Sequence, residues 1–251
     1  MGKADLHVHT TYSYDGTCTV EAVLQQAAYH AGLDVIAITD HNETAGAKEA
    51  LRLAPRYGIQ VIPGEEISTK AGHLLAYFIQ ETIPAGLPLA ETALRVRQQG
   101  GICVAAHPYA AGTNSIKGDD IRQALEVPGV ADALIGIETF NYGLIFPHTN
   151  DMALELAQEL NLAAVGGSDS HILETIGHGY TSFPGSTAAD LRRSLLNRTS
   201  RSRKAAQHDV HFYLAHLRGW SLRAIGWVTA IRNTQSSSPF VLRRLERGHS
   251  L

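Results

Sequence analysis

Histidines and carboxylates recur in short clusters along this chain: Asp5-Leu6-His7-Val8-His9, Asp40-His41, Glu65-Glu66, His73, His107-Pro108 and Asp169-Ser170-His171. Imidazole and carboxylate ligate zinc, manganese and iron, and a site for several ions needs many of them converging. His7 and His9 stand two apart on a predicted strand, so both rings point to one face. Asp15, in Ser13-Tyr14-Asp15-Gly16, lies in a turn able to return a carboxylate over the same mouth. Asp40-His41 closes the apolar run Val35-Ile36-Ala37-Ile38, and His107 follows Ile102-Cys103-Val104-Ala105-Ala106. Glu65 and Glu66 are strand neighbours facing opposite ways, so only one can point inward. Asp169 and His171 follow Gly166-Gly167, small residues that let the backbone approach a ligand closely. The pattern is that of a metallohydrolase.

Short apolar, β-branched runs must position these residues. They predict strands at 4–9, 34–39, 59–64, 73–79, 102–106, 133–138 and 162–167, alternating with helices at 19–31, 44–57, 89–99, 119–126, 149–161 and 187–196. Thr19, Thr44 and Thr187 have the character of helix N-caps. Such alternation argues for a parallel sheet. Ligand-type residues fall at the C-terminal ends of strands one, two, three, five and seven, and near the start of the fourth. A closed barrel gathers side chains from many strand ends around one axis, whereas an open sheet gathers them at one crevice. The expectation is a (β/α)7-type barrel.

At 251 residues the chain can bury one full core. Its two cysteines, Cys18 and Cys103, lack CxxC spacing, which argues against a thiolate site or disulfide framework and fits a reducing, cytoplasmic location. No apolar run reaches the ~20 residues of a membrane span, and residues 1–10 leave no room for a signal peptide before the first cluster. The net charge of −3 hides an asymmetry: positions 191–251 carry 12 of the 21 Lys and Arg against only Asp209 and Glu246. That segment is near +10 and the remainder near −13. Within it, Leu214, Leu217, Ile225, Val228 and Ile231 fall near helical spacing beside Trp220 and Trp227. This basic, partly helical extension is expected to pack on the acidic body or a second copy, with an anionic membrane or nucleic acid as the alternatives.

Five motifs in order, at 5–10 (Asp-x-His-x-His-Thr), 39–41 (Thr-Asp-His), 64–68 (Gly-x-Glu-Ile-Ser), 106–108 (Ala-His-Pro) and 167–171 (Gly-Ser-Asp-Ser-His), resemble the PHP (polymerase and histidinol phosphatase) family. The resemblance runs through the first ~180 residues. It implies a distorted (β/α)7 barrel over 1–198, followed by the extension at 199–251, and a trinuclear centre that hydrolyses phosphoesters. Carried over position by position, it implies nine metal ligands: His7, His9, Asp15, His41, Glu66, His73, His107, Asp169 and His171. Three divalent ions are expected, manganese, zinc or iron, with magnesium as an alternative. The nucleophile would be a metal-bound hydroxide. Asp40 would then act behind the ligands, orienting an imidazole or taking a proton. His178 would bind phosphate or protonate the leaving group, and Glu138 and Asn141 would contact substrate.

The expected substrate is a small phosphomonoester or nucleotide. Alternatives are the end of a short oligonucleotide, disfavoured by the acidic body, amidohydrolase-type chemistry, and a non-catalytic metal-binding regulatory module. Amidohydrolase chemistry calls for a lysine at a strand end, and none of the five lysines lies at one.

Overall fold

The computed structural model describes residues 1–111, 114–144 and 148–205, together with Leu214 and Leu217. Both leucines lie on helical backbone and are more than half exposed. The rest of the extension, Trp220 and Trp227 included, lies outside the described residues.

All seven predicted strands form, as β1 (Gly2–Asp5), β2 (Val35–Ile38), β3 (Gln60–Thr69), β4 (Gly72–Tyr77), β5 (Ile102–Ala105), β6 (Leu134–Asn141) and β7 (Ala163–Gly167). Between and after them run α1 (Val20–Gln25), α2 (Ala45–Leu53), α3 (Leu89–Gln98), α4 (Gly118–Leu125), α5 (His148–Glu159) and α6 (Ala188–Leu196). Thr19 caps α1 by accepting from the Ala22 amide, and Thr187 exchanges bonds with Asp190 in a capping box on α6. Thr44 does not cap α2. The Glu43 carboxylate takes that role, accepting from the amides of Thr44 and Ala45, while the Thr44 hydroxyl pairs with Thr82.

Two further strands were not expected, β8 (Gly179–Phe183) and β9 (Arg201–Lys204). The sheet order is β7-β6-β5-β4-β3-β2-β1-β8-β9. β1, β2 and β3 are mutually parallel, as are β5, β6 and β7. The all-parallel expectation fails at β4, which returns antiparallel from β3 through the two-residue connection Lys70-Ala71 and also runs against β5. β8 runs against β1, and β9 against β8. The two ends of the sheet then meet. Thr181 Oγ1 accepts from the Gly166 amide, Thr139 donates to Ser202, and the backbone beyond β1 exchanges bonds with Ser170. The product is a nearly closed, distorted α/β barrel, and its sheet continues past residue 198 into β9.

Alternation along each strand divides the core. Ile36 and Ile38 of β2 pack outward on α1 and α2 with Val23, Ala47 and Ala50. Leu74, Ala76, Cys103 and Ala105 pack outward on α3, α4 and α5. The opposite faces, with Val35, Ala37, Leu75, Tyr77, Val104 and Val165, fill the interior together with Leu191 and Leu195 of α6. α6 is anchored at strand beginnings: Gln60 accepts from the Ala188 amide, and Arg192 donates to the Gly100 carbonyl. It therefore plugs one end of the barrel and leaves the other, the C-terminal ends of the parallel strands, for the polar clusters.

Candidate metal centre

The parallel strands deliver their last residues to one mouth. His7 and His9 extend β1, Asp40 and His41 follow β2, His107 follows β5, and Asp169 and His171 follow β7. Glu66 lies inside β3, where an isolated bridge to His41 marks the rim. His73 opens β4, and because that strand is antiparallel its beginning lies at the same mouth. This explains why one ligand-type residue sits at a strand start.

All nine residues named from the resemblance converge. Their ligand atoms form four overlapping groups, each within 4.8 Å: His9, Asp15, His41 and His171; His7, His9 and Glu66; His7, His107 and Asp169; His41, Glu66 and His73. Glu66 is the hub. One of its oxygens lies 3.3 Å from His7 Nε2, 3.3 Å from His9 Nε2 and 3.1 Å from His41 Nδ1. The other lies 2.9 Å from His73 Nδ1 and 3.1 Å from His107 Nε2. Asp169 Oδ1 sits 3.4 Å from His7 Nε2 and 3.3 Å from His9 Nε2, and Asp15 Oδ2 lies 3.0 Å from His171 Nε2. His7, His9, Glu66 and His107 form a buried floor, while Asp15, His73, Asp169 and His171 form a partly open rim. Glu65 points to the other face, where its carboxylate accepts from the Ile83 amide.

The donor set fits divalent ions. Four rings have one nitrogen occupied by a holder: His7 Nδ1 by Glu138, His9 Nδ1 by Ser13, His107 Nδ1 by Ser115 and His171 Nδ1 by the Asp169 carbonyl two residues earlier. That fixes each ring and leaves Nε2 facing inward, as in metal-binding histidines. His7 Nε2, His9 Nε2, His41 Nδ1 and Asp15 Oδ1 are buried with no hydrogen-bond partner among the described residues. Orphaned buried nitrogens aimed at shared carboxylates are atoms waiting for a cation. Burial, reinforced by the facing His171, pushes His9 down to about 3, so it is a neutral imidazole at neutral pH. Burial alone would raise Glu66, but His41, His7 and His73 outweigh it and hold it well below the usual carboxylate range. Both are the forms that ligate; against burial, the facing carboxylates raise His7, His41, His107 and His171, so those rings would give up a proton on binding a cation.

The backbone is strained at the same place. His107 has φ 26° and Asp169 φ 52°, both in the left-handed region. Such strain clusters at functional sites. Gly167 meets the demand for close approach, since a Cβ there would lie 2.7 Å from both Glu138 Oε1 and His7 Cβ.

The remaining expected residues are placed differently. Asp40 is fully buried and accepts from the Thr10 amide and hydroxyl and from the Ser13 amide. It therefore holds the 10–13 loop, and Ser13 in turn touches His9 Nδ1 and accepts from the His41 amide. Its link to a ligand imidazole is one residue removed. Glu138 and Asn141, expected at the substrate, are also fully buried, and their side chains contact His7 and Asp169. His178 sits edge-on to Tyr142, with ring centroids 5.0 Å apart, in the turn before β8. Sequence reading missed Ser13 and Ser115 as ring holders, because serine in a loop carries no spacing signal. It also gave no role to Tyr14, which is 62% exposed and stacks on His41 at 5.1 Å.

Comparison with known proteins agrees with this geometry. A family model described as PHP domain matches residues 5–117, and one described as PHP-associated matches 147–200. An uncharacterized protein of Methanocaldococcus jannaschii is 36% identical over 148 residues, 55% of this chain and 81% of that protein. A phosphoribosyl 1,2-cyclic phosphate 1,2-diphosphodiesterase of Eggerthella lenta is 36% identical over 129 residues, spanning 49% of this chain and 47% of that enzyme. Among solved structures, a two-domain Bacteroides vulgatus protein containing a predicted PHP-like metal-dependent phosphoesterase superposes with a TM-score of 0.65. The two are 22% identical, and the match covers 80% of this chain and 64% of that one.

Proposed function

The chain belongs to the PHP-domain family of metal-dependent phosphoesterases, hydrolases acting on phosphate esters, and we propose that it cleaves small phosphomonoesters, phosphorylated metabolites or nucleotides, at a three-ion centre. The observation that carries this reading is the convergence of nine ligand-type side chains on one mouth, with buried ring nitrogens that have no hydrogen-bond partner among the described residues. Divalent ions, manganese, zinc or iron, would supply Lewis acidity, lowering the pKa of water to about 7 and offsetting charge on the phosphoryl oxygens.

The chain's own residues do the rest. Glu66 reaches into two of the four groups and would serve as the shared carboxylate. Glu138, Ser13, Ser115 and the Asp169 carbonyl fix the rings that face it. Asp40 would hold the 10–13 loop, whose Ser13 touches His9 Nδ1. His178 is proposed to meet the phosphate or protonate the leaving group. Asp15, His73, Asp169 and His171 are partly exposed, and a phosphate would enter from their side.

The test is phosphate release by the manganese-reconstituted protein over phosphomonoesters, nucleotides and short oligonucleotides, with Asp169→Asn as control. We expect turnover of small phosphomonoesters that disappears in the variant, together with reduced metal content. Release confined to oligonucleotide ends would replace the substrate assignment, and full activity of Asp169→Asn would remove that residue from the centre.

A further inference from the structure

β6 supplies none of the nine ligands, yet two of its side chains reach three of them. Glu138 Oε1 lies 3.0 Å from His7 Nδ1, and Oε2 accepts from the His107 amide at 2.9 Å. The Asn141 side-chain Nδ2 then bridges carboxylates, donating to Glu138 Oε2 at 3.0 Å and to Asp169 Oδ2 at 3.1 Å. His7, His107 and Asp169 are the members of one candidate metal group. The bond to the His107 amide also acts on a residue whose backbone is left-handed, so Glu138 holds the strained turn as well as the ring.

Strand geometry does not produce this arrangement by default. Residues three apart on a regular strand face opposite sides. The pairing of β6 with β7 shifts register between Glu138 and Phe140, and the resulting bulge turns Glu138 and Asn141 to the same side. α5 then clamps the position: Asn150 accepts from the Asn141 amide and donates to its carbonyl. A bulge, a clasp and two fully buried polar side chains are all spent on one ligand group.

We propose that Glu138 and Asn141 are positioning residues for a single ion of the centre, the one held by His7, His107 and Asp169, and leave the ion held by His9, Asp15, His41 and His171 independent of them. The assignment rests on the metal-dependent reading above. It reassigns both residues from substrate contact to ligand positioning.

Manganese binding by Glu138→Gln and Asn141→Ser tests it, with bound metal per chain measured by atomic emission and stepwise affinity by paramagnetic resonance of free Mn2+. In Glu138→Gln an amide NH2 must face either the donors His107 N and Asn141 Nδ2 or, flipped, His7 Nδ1. Serine at 141 is too short to reach both carboxylates. Each variant is expected to lose about one ion per chain at metal concentrations that saturate the wild type. The step at His7, His107 and Asp169 should weaken roughly 10–100-fold, with that at His9, Asp15, His41 and His171 unchanged. Unchanged stoichiometry and affinity would overturn the proposal. So would equal weakening of every step, which marks a general packing role, and so would a raised KM with intact metal binding, which marks substrate contact. If the buried charge change prevents Glu138→Gln from folding, Asn141→Ser decides alone. A wild-type protein that takes up no manganese would remove the underlying reading itself, an outcome distinct from all of these.

Discussion

Replacing Glu65 with glutamine should change the pH dependence of stability while leaving the neighbouring hub Glu66 in place. Glu65 is fully buried on the helix side of β3, and burial raises its pKa from the ordinary 4.5 to about 8, with Glu43 adding to the rise and the Ile83 amide opposing it. In the unfolded chain the carboxyl ionises near 4.5, whereas the folded protein keeps it neutral to about 8. The stability is therefore fully present below pH 4.5 and is lost as pH climbs toward 8. Each unit is worth about 1.36 kcal/mol, so the wild type should lose about 3 kcal/mol between pH 5.5 and 8 through this one group. Glutamine has no proton to lose, and its carbonyl can still accept from Ile83. Urea unfolding of metal-free wild type and Glu65→Gln at the two pH values isolates the effect, since the ligand imidazoles titrate alike in both proteins. At a slope of 2–3 kcal/mol/M, the midpoint difference should move by roughly 1–1.5 M in favour of the variant at the higher pH. A difference between the two proteins that stays constant from pH 5.5 to 8 would refute the reasoning.

Two other perturbations test parts of the scaffold. Gly46→Ala in α2 would ordinarily stabilise a helix by up to about 1 kcal/mol. Here the new Cβ would lie 2.1 Å from Asp40 Oδ2 and 3.0 Å from Thr10 Oγ1, so we expect a loss of about 1–3 kcal/mol in a thermal melt, and an unchanged or raised Tm would contradict the Asp40 clamp. A chain ending at Ala205 should remain folded, whereas one ending at Arg198 loses β9, its four pairings with β8 and the Thr139–Ser202 bond. The shorter chain should show fast amide exchange along β8, and equal protection in both chains would mean β9 is peripheral.

The convergence of the candidate ligands was legible because the chemistry that makes a metal site also fixes residue type, and parallel strands deliver their ends to one place. His7, His41, His107 and Asp169 could be found from apolar runs alone. Strand direction was not legible: Gly72–Tyr77 alternates identically whichever way it runs, and only the short Lys70-Ala71 connection hints at a hairpin. β8 and β9 escaped because Gly-Tyr-Thr-Ser-Phe and Arg-Ser-Arg-Lys carry little apolar signal, and tertiary pairing makes them strands. Glu138 and Asn141 were singled out, but their contacts with His7, His107 and Asp169 were not foreseen, since a bulge cannot be read from a spacing of three. Thr44 lost its expected cap to Glu43, a longer side chain one position earlier that reaches the same two amides.

The reversal of β8 decides which way the molecule faces when it is tethered. β9 runs parallel to β1, and Lys204 sits opposite Gly179, with the Ala205 amide bonded to the His178 carbonyl beside the mouth. Met1, 82% exposed, lies at the plugged end, where Gly2 pairs with Phe183. A bead, sensor chip or dye attached at Met1 would leave the cup facing solution. The same attachment made just after Ala205 would stand at its lip, close enough to crowd an incoming molecule or to report its arrival.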